Sequence, residues 1–373
     1  MKRAILWLFA VVILGGLAFA AWRLNDERTF AATPFGEGGR TVVVPPGSGP
    51  HALAKLLADA RIVSDADRFY THLHFFRRGK QAKAGEYEFD GPLLPDEVLG
   101  KLIRGEVKLY KFTIPEGLRV DEAAVIIGQS GLCSAHDLLA IARDPASPKR
   151  FGVPGPSLEG YLFPDTYSLP RSIGCAGIAQ TMIARFQRAW QEAQSQRLPE
   201  IRLDEQQAVT LASIVEKETG VSHERAHVSC VFHNRMKRHM PLQTDPTVIY
   251  ALRRAGTWDG NIHKEDLDVA SPYNTYRMAG LPPGPIAAPG REAIRAVVEP
   301  MPSDDLYFVS RNDGSHQFSR TLAEHQKAVD LYQRHRHAEL GGASPAPGPL
   351  PSPGSSPPAA PSAPPTRPPG PRR

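Results

Sequence analysis

The sequence predicts an α+β fold tethered to a membrane by one N-terminal helix. Three observations carry this. An uncharged apolar run, Ala4 to Trp22, opens the chain. Short β-branched or alternating stretches then interleave with helical ones as far as Ile114. Beyond Ile178 helical patterns dominate, and a strand signal returns only at Leu306 to Ser310.

The opening run is about 19 residues long, close to the roughly 20 that a helix needs to cross the hydrocarbon layer. Lys2 and Arg3 precede it, and Asp26 and Glu27 dilute the charge after it. The positive-inside rule therefore puts residues 1–3 in the cytoplasm and everything after Trp22 outside. A cleavable signal peptide is the rival, because Ala18-Phe19-Ala20 fits a small-x-small cleavage site. The run exceeds a usual signal core of about 7–15 residues, which favours an uncleaved anchor. At the other end, residues 341–373 are Pro, Ala, Ser and Gly with no acidic residue. Such a segment cannot bury a core, so a disordered, partly polyproline-like tail is expected.

The two ends also account for the charge. Lys2, Arg3, Arg367, Arg372 and Arg373 supply the whole formal +5. Residues 4–340 are close to neutral, which leaves no electrostatic footprint for nucleic acid. The chain's 373 residues suffice for two domains with buried cores. Its three cysteines have no metal-ligand spacing. In an oxidising compartment one disulfide can form, and the reading pairs Cys133 with Cys175.

Taken in order, residues 23–40 read as a linker. Thr41 to Val44 is a strand ended by Pro45-Pro46-Gly47. His51 to Ala60 is a helix with Leu53, Leu56 and Leu57 on one face. Asp65 to Phe76 is a second helix, Glu86 to Phe89 a strand, Leu94 to Arg104 a helix and Lys108 to Ile114 a strand. Val44-Pro45-Pro46-Gly47 and its helix recur as Ile114-Pro115-Glu116-Gly117 and the helix Asp121 to Gln129, at a constant offset down to Ser64 against Ser134. Two similar strand-turn-helix units are expected. Ile178 to Gln194 is amphipathic; Asp204 caps a helix through Glu218, and Ser222 caps one to Arg238. Asp245-Pro246 caps another helix with Pro at its first position. Ser271 to Pro289 is an ordered loop and Arg291 to Val298 a helix. Thr321 to Glu324 is a capping box opening a last helix to His337.

Two chemistries compete. His223-Glu224-Arg225-Ala226-His227 matches the two-histidine zinc-peptidase pattern, with His233 where one class puts a third ligand. That class needs a glycine where Cys230 stands. Without the bend, His233 lies about 240° around and roughly 9 Å along the helix from His227. The other chemistry uses Ser157 to Tyr167, SLEGYLFPDTY. Glu159 sits ahead of Tyr161, Phe163 and Tyr167, and a carboxyl held against such surface has a raised pKa, as a general acid requires. The plainer reading is a corner whose glutamate caps a loop. A conventional glycosidase also needs a second carboxylate; Glu216, Glu218 and Asp245 are candidates.

The motifs LEGYLFPDTY, ASIVEKETG, VFHNRM, MPLQTDPTV, SPYNTY, GLPPGPI and HQFSR, in that order, resemble the endolytic murein transglycosylase (YceG-like) family, from about Thr41 to Ala338. The resemblance implies a single-pass inner-membrane enzyme with a periplasmic catalytic part. It would cut the MurNAc-β-1,4-GlcNAc bond within peptidoglycan glycan strands and leave 1,6-anhydro-MurNAc ends, terminating nascent strands. The family's acid corresponds to Glu159, and residues 41–112 to a LysM-like module ahead of a larger mixed catalytic domain, 113–340. One acid/base group suffices for this chemistry, and no metal or cofactor is implied. Penicillin-binding synthases are the expected partners. Glu218, Asn234, Gln243, Tyr273, Asn274 and Tyr276 are the residues assigned to sugar binding, with Glu216 and Glu218 interchangeable between site and ion pair. Arg235 is assigned either to a peptide-stem or lactyl carboxylate or to a salt bridge. A non-catalytic glycan-binding scaffold in the cell-wall machinery is the alternative of a different class.

Overall fold

The computed structural model describes residues 2–76 and 81–334. The expected tail, and the last helix beyond Arg334, lie outside them. Helix α1 (Lys2–Ala31) contains a stretch, Trp7–Ala31, long and apolar enough to cross a membrane, and its most apolar 18 residues are not buried in the protein. Helix therefore replaces the first part of the expected linker. The reason lies in what its end touches. Phe30 enters the first core, Arg68 pairs with Asp26, and buried His72 bonds Glu27 (2.5 Å) and Asp96 (2.9 Å).

The first unit is β1 (Arg40–Val44), α2 (Pro50–Asp59), α3 (Ala66–Thr71), which a π turn extends to Phe76, and β2 (Gly85–Phe89). β1 and β2 pair antiparallel, Arg40 opposite Phe89 and Val44 opposite Gly85. α4 (Pro95–Arg104) closes the unit; Glu97 bonds the Leu94 N–H at its start and Gly105 ends it left-handed. Val42, Val44, Leu57, Phe69, Tyr87 and Leu102 are among the side chains of one buried cluster.

The second unit repeats the plan. β3 (Leu109–Thr113), α5 (Val120–Gln129), α6 (Ala135–Arg143), α7 (Ser147–Phe151) and β4 (Thr166–Pro170) follow in order, with β3 and β4 antiparallel. α2 and α5 each come one turn after a glycine of positive φ, Gly47 at 75° and Gly117 at 74°. The turns after them use Arg61 (φ 56°) and Gly131 (φ 72°) at matching places. Cys133 is bonded to Cys175, tying the α5–α6 turn to the start of α8 (Gly174–Gln194).

The helical remainder is α9 (Glu205–Glu218), α10 (Arg225–Lys237), α11 (Asp245–Ala255) and α12 (Arg291–Val298). It ends in β5 (Tyr307–Ser310), β6 (His316–Ser319) and α13 (Leu322–Val329), where the Thr321/Glu324 capping box is present. Asp204 and Gln207 form the same device at α9. The second unit and these helices share one cluster, from Phe112 to Val298, so the described residues hold two buried cores that divide near Leu109.

Candidate active site

Glu159 lies in the connection between α7 and β4. Gly160 has φ +84°, and a Cβ there would stand 2.4 Å from Pro285 Cβ, so only glycine fits this turn. Tyr161 is fully buried, edge-on to Phe186 at 5.1 Å; Tyr167 stacks on Phe112 and its hydroxyl donates to Phe163 O at 2.7 Å. The rings that made the stretch conspicuous are core. Glu159 itself is 5% exposed. Its Oε1 accepts the N–H of Val120, first residue of α5, at 2.9 Å, and Oε2 lies 3.4 Å from the Tyr250 hydroxyl that donates to it. Burial pushes its pKa up to about 7; the Val120 N–H pulls it down and the Asp121 charge pushes it up. The carboxyl forms one wall of a cleft of about 710 Å³ that also includes Tyr250 and Tyr273.

A second raised carboxyl stands at the end of α9. Glu218 remains partly exposed, while withdrawal of its carboxyl from water pushes the pKa to about 7. Thr244 donates its hydroxyl to Oε1 and draws the pKa down; the Asp245 charge pushes it up and Arg235 lowers it. Thr244, and not Asp245, is therefore the N-cap residue of α11, and its side chain serves Glu218 instead of the helix. Tyr276 donates to Asp245 Oδ1 at 2.6 Å, and Gln243, exposed with φ 50°, sits one residue ahead of Thr244. The Gln243 N–H to Thr275 O bond (3.1 Å) and the Thr244 N–H to Thr275 Oγ1 bond (3.1 Å) hold the two segments side by side.

Of the residues assigned to sugar binding, the structure thus gathers Glu218, Gln243 and Tyr276. Tyr273 is 5% exposed and belongs to the Glu159 cleft, 4.8 Å from the Tyr250 ring. Two others are engaged in bonds within the fold. Asn234 spends its amide on Ser303 O (2.8 Å) and Asp305 O (3.0 Å), and fully buried Asn274 donates to Leu267 O and Val269 O while accepting from the Tyr276 N–H. Both brace loops. Arg235 is likewise internal, donating to Leu306 O and Leu242 O at 2.7 Å each. Glu216 is the ion-paired member of its couple, meeting Arg225 at 2.9 Å and the Gly290 N–H at 3.0 Å.

The zinc-like motif is taken apart by the fold. His223 and Glu224 lie in a 3₁₀ turn before α10 begins, so they share no helical face with His227. Glu224 accepts from the His316 ring, His227 bonds Asp305 (2.8 Å) and stacks on Phe318, and His233 Nε2 donates to Val297 O (2.9 Å). Sequence reasoning missed Thr244 and Tyr250. Thr244 sat inside the quoted MPLQTDPTV motif, whereas nothing local marks Tyr250.

Residues 42–331 match the profile of the YceG-like family. The endolytic murein transglycosylase of Bacillus subtilis (strain 168) is 30% identical over 305 residues, covering 78% of this chain and 83% of the relative. That of Streptococcus pneumoniae (serotype 2, strain D39) is 29% identical over 321 residues, and the match covers 57% of that longer protein. The 2.6 Å crystal structure of a yceG-like protein from Listeria monocytogenes superposes with a TM-score of 0.53 at 32% identity, covering 77% of this chain and 97% of that one. By the profile match across most of its length and these relatives, the chain belongs to the YceG-like family.

Proposed function

We propose that this chain is an endolytic lytic transglycosylase of murein, cutting the MurNAc-β-1,4-GlcNAc bond within glycan strands and leaving 1,6-anhydro-MurNAc ends. The names of the Bacillus and Streptococcus relatives support the activity. The observation that carries the chemistry is a carboxyl whose pKa is raised to about 7 amid polar and aromatic groups suited to hold a sugar.

Two glutamates meet the electrostatic requirement, and the geometry favours Glu218 over the sequence-assigned Glu159. Glu159 is buried, and each of its oxygens takes a donor from the fold. It behaves as the cap of α5, the plainer of the two readings its sequence allowed. Glu218 is partly exposed, has one oxygen bonded by Thr244, and stands among Gln243, Asp245 and Tyr276. In the proposed reaction protonated Glu218 gives its proton to the leaving glycosidic oxygen as the C1–O bond breaks. The Asp245 charge steadies the oxocarbenium-like centre. The glutamate then takes the C6 hydroxyl proton as that oxygen closes on C1. No water is placed, so no opposing base is needed. General acid catalysis of this kind is worth about 10²–10⁴-fold.

Mass spectrometry of murein digests tests this with Glu218→Gln and Glu159→Gln. Expected are anhydro ends from the wild type, none from folded Glu218→Gln, and residual release from Glu159→Gln. The reverse pattern restores Glu159 as the acid. Reducing ends mean a hydrolase, and no product from the wild type favours the glycan-binding scaffold.

The remaining assignments complete the proposal. Residues 41–112 form a LysM-like glycan-binding module and 113–340 the catalytic domain, a division supported by the two cores. α1 anchors the chain in the inner membrane with residues 1–3 cytoplasmic, and both domains are periplasmic. The enzyme acts on nascent strands beside penicillin-binding synthases; co-purification with such a synthase from crosslinked membranes checks that step.

A further inference from the structure

The cleft beside Glu159 is richer in cations than a neutral glycan requires. Four arginines line it: Arg119, Arg143, Arg253 and Arg254. Arg119 is committed, donating to both oxygens of Asp121 (2.9 and 2.8 Å) and lying 3.0 Å from Glu122. Among the described residues Arg143, Arg253 and Arg254 form no contact ion pair with a carboxylate, although Arg143 lies within the field of Asp121, and all three are exposed. Arg253 packs over Trp258 at 5.4 Å and Arg254 over Tyr273 at 5.6 Å. Ring faces of this kind hold a guanidinium plane while leaving N–H groups at its edge to fork a carboxylate, although Arg254 also comes within hydrogen-bonding reach of the Tyr250 hydroxyl.

The position of Arg253 and Arg254 relative to Glu218 is fixed by one helix. α11 begins at Asp245, in the Glu218 cluster, and carries Arg253 and Arg254 in its last turn. At 1.5 Å per residue the separation along its axis is about 12–14 Å. An extended peptide of about four residues spans the same distance. In murein the glycan is neutral, and the carboxylates are carried by short peptide stems on MurNAc.

Resting on the murein reading above, we propose that Arg143, Arg253 and Arg254 form a subsite for the carboxylate-bearing end of a peptide stem. α11 acts as the spacer between that end and the sugar at Glu218. The subsite makes the enzyme select stem-bearing strands over strands stripped of peptide, and Arg235, which the sequence offered for this contact, has no part in it.

The full chain in detergent is given three murein glycans: stem-bearing, amidase-stripped, and stem-bearing with its carboxylates converted to amides. The wild type is expected to favour the first in kcat/KM. Arg253→Ala/Arg254→Ala and Arg143→Ala are expected to lower that preference about tenfold, because a charge-assisted hydrogen bond is lost in each. A parallel titration uses Glu218→Gln protein with a soluble muramyl tetrapeptide and its fully amidated form. The acid is expected to bind about tenfold more tightly, less so at high salt. Equal rates on all three glycans, equal binding of acid and amide, or tighter binding of inorganic pyrophosphate overturns the stem subsite. No cleavage of any glycan by the wild type instead sinks the lytic reading, and the titration then decides the subsite alone.

Discussion

The Glu159→Gln substitution tests, through the pH dependence of stability, whether the fold holds a proton on a buried carboxyl at this position. Glu159 has its pKa raised from 4.5 to about 7, chiefly by burial. A raised carboxyl pKa means that the folded state holds its proton where the unfolded chain has lost it. The stability it contributes is complete below about pH 4.5 and disappears as pH rises through about 7. The loss is roughly 3 kcal/mol, accruing at about 1.4 kcal/mol per pH unit. Glutamine keeps the shape and the acceptor for the Val120 N–H, and it does not titrate. Urea unfolding between pH 4 and 8 should therefore show the variant gaining about 3 kcal/mol on the wild type across that window. Tryptophan fluorescence is a suitable signal, since Trp190 packs against the core that holds Glu159. Because the subtraction cancels every other titrating group, including Glu218, a flat difference between the two proteins would refute the buried-cap account.

Other expectations are shorter. In pH–rate profiles of murein cleavage, activity should fall above about pH 7 as Glu218 ionises. Asp245→Asn should move that limb to lower pH, and Thr244→Val to higher pH, since the Asp245 charge raises the pKa and the Thr244 hydroxyl lowers it. Gly160→Ala should cost more than about 2 kcal/mol in thermal melts, because it combines a positive φ with a 2.4 Å clash at Pro285. Thiol titration of the unfolded, unreduced chain should find one free group, Cys230, and three after reduction. Cutting Cys133–Cys175, which closes a separation of 42 residues, should remove about 4 kcal/mol.

What could be read from the sequence was local. The apolar run, the capping box at Thr321 and the repeat with its Gly47 and Gly117 turns are signals written within a few residues, and the fold contains them. Two strands were not legible. β4 follows Pro164 and Asp165, which announce only a turn, and it becomes a strand because β3 offers a partner, Thr113 opposite Thr166. β6 likewise exists as the partner of β5. The site was harder still. SPYNTY and MPLQTDPTV each advertise polar groups, but only pairing of Gln243 and Thr244 with Thr275 decides which of them meet Glu218. Asn274 and Tyr276 are two apart, and one braces a loop while the other reaches Asp245.

The repeat also bears on why the Glu159 turn reads equally as a fastening and as an acid site. α2 and β2 begin 35 residues apart in the first unit, whereas α5 and β4 begin 46 apart in the second. The longer connection holds α7 and the Glu159 turn, and a segment added to a small two-stranded unit must be fastened to it. Leu158 N–H bonds Ala142 O at 3.0 Å, Tyr161 and Phe163 are buried, and the Glu159 carboxyl takes the first N–H of α5. Glycine, rings and a buried carboxylate are what such a fastening requires, and they are also what an acid site looks like in one dimension. A raised pKa follows from burial in either case, so it does not discriminate. The proposal therefore turns on bonding: a proton donor must present a free oxygen to the substrate, and among the described residues Glu218 has one carboxyl oxygen without a hydrogen bond, whereas both oxygens of Glu159 are bonded.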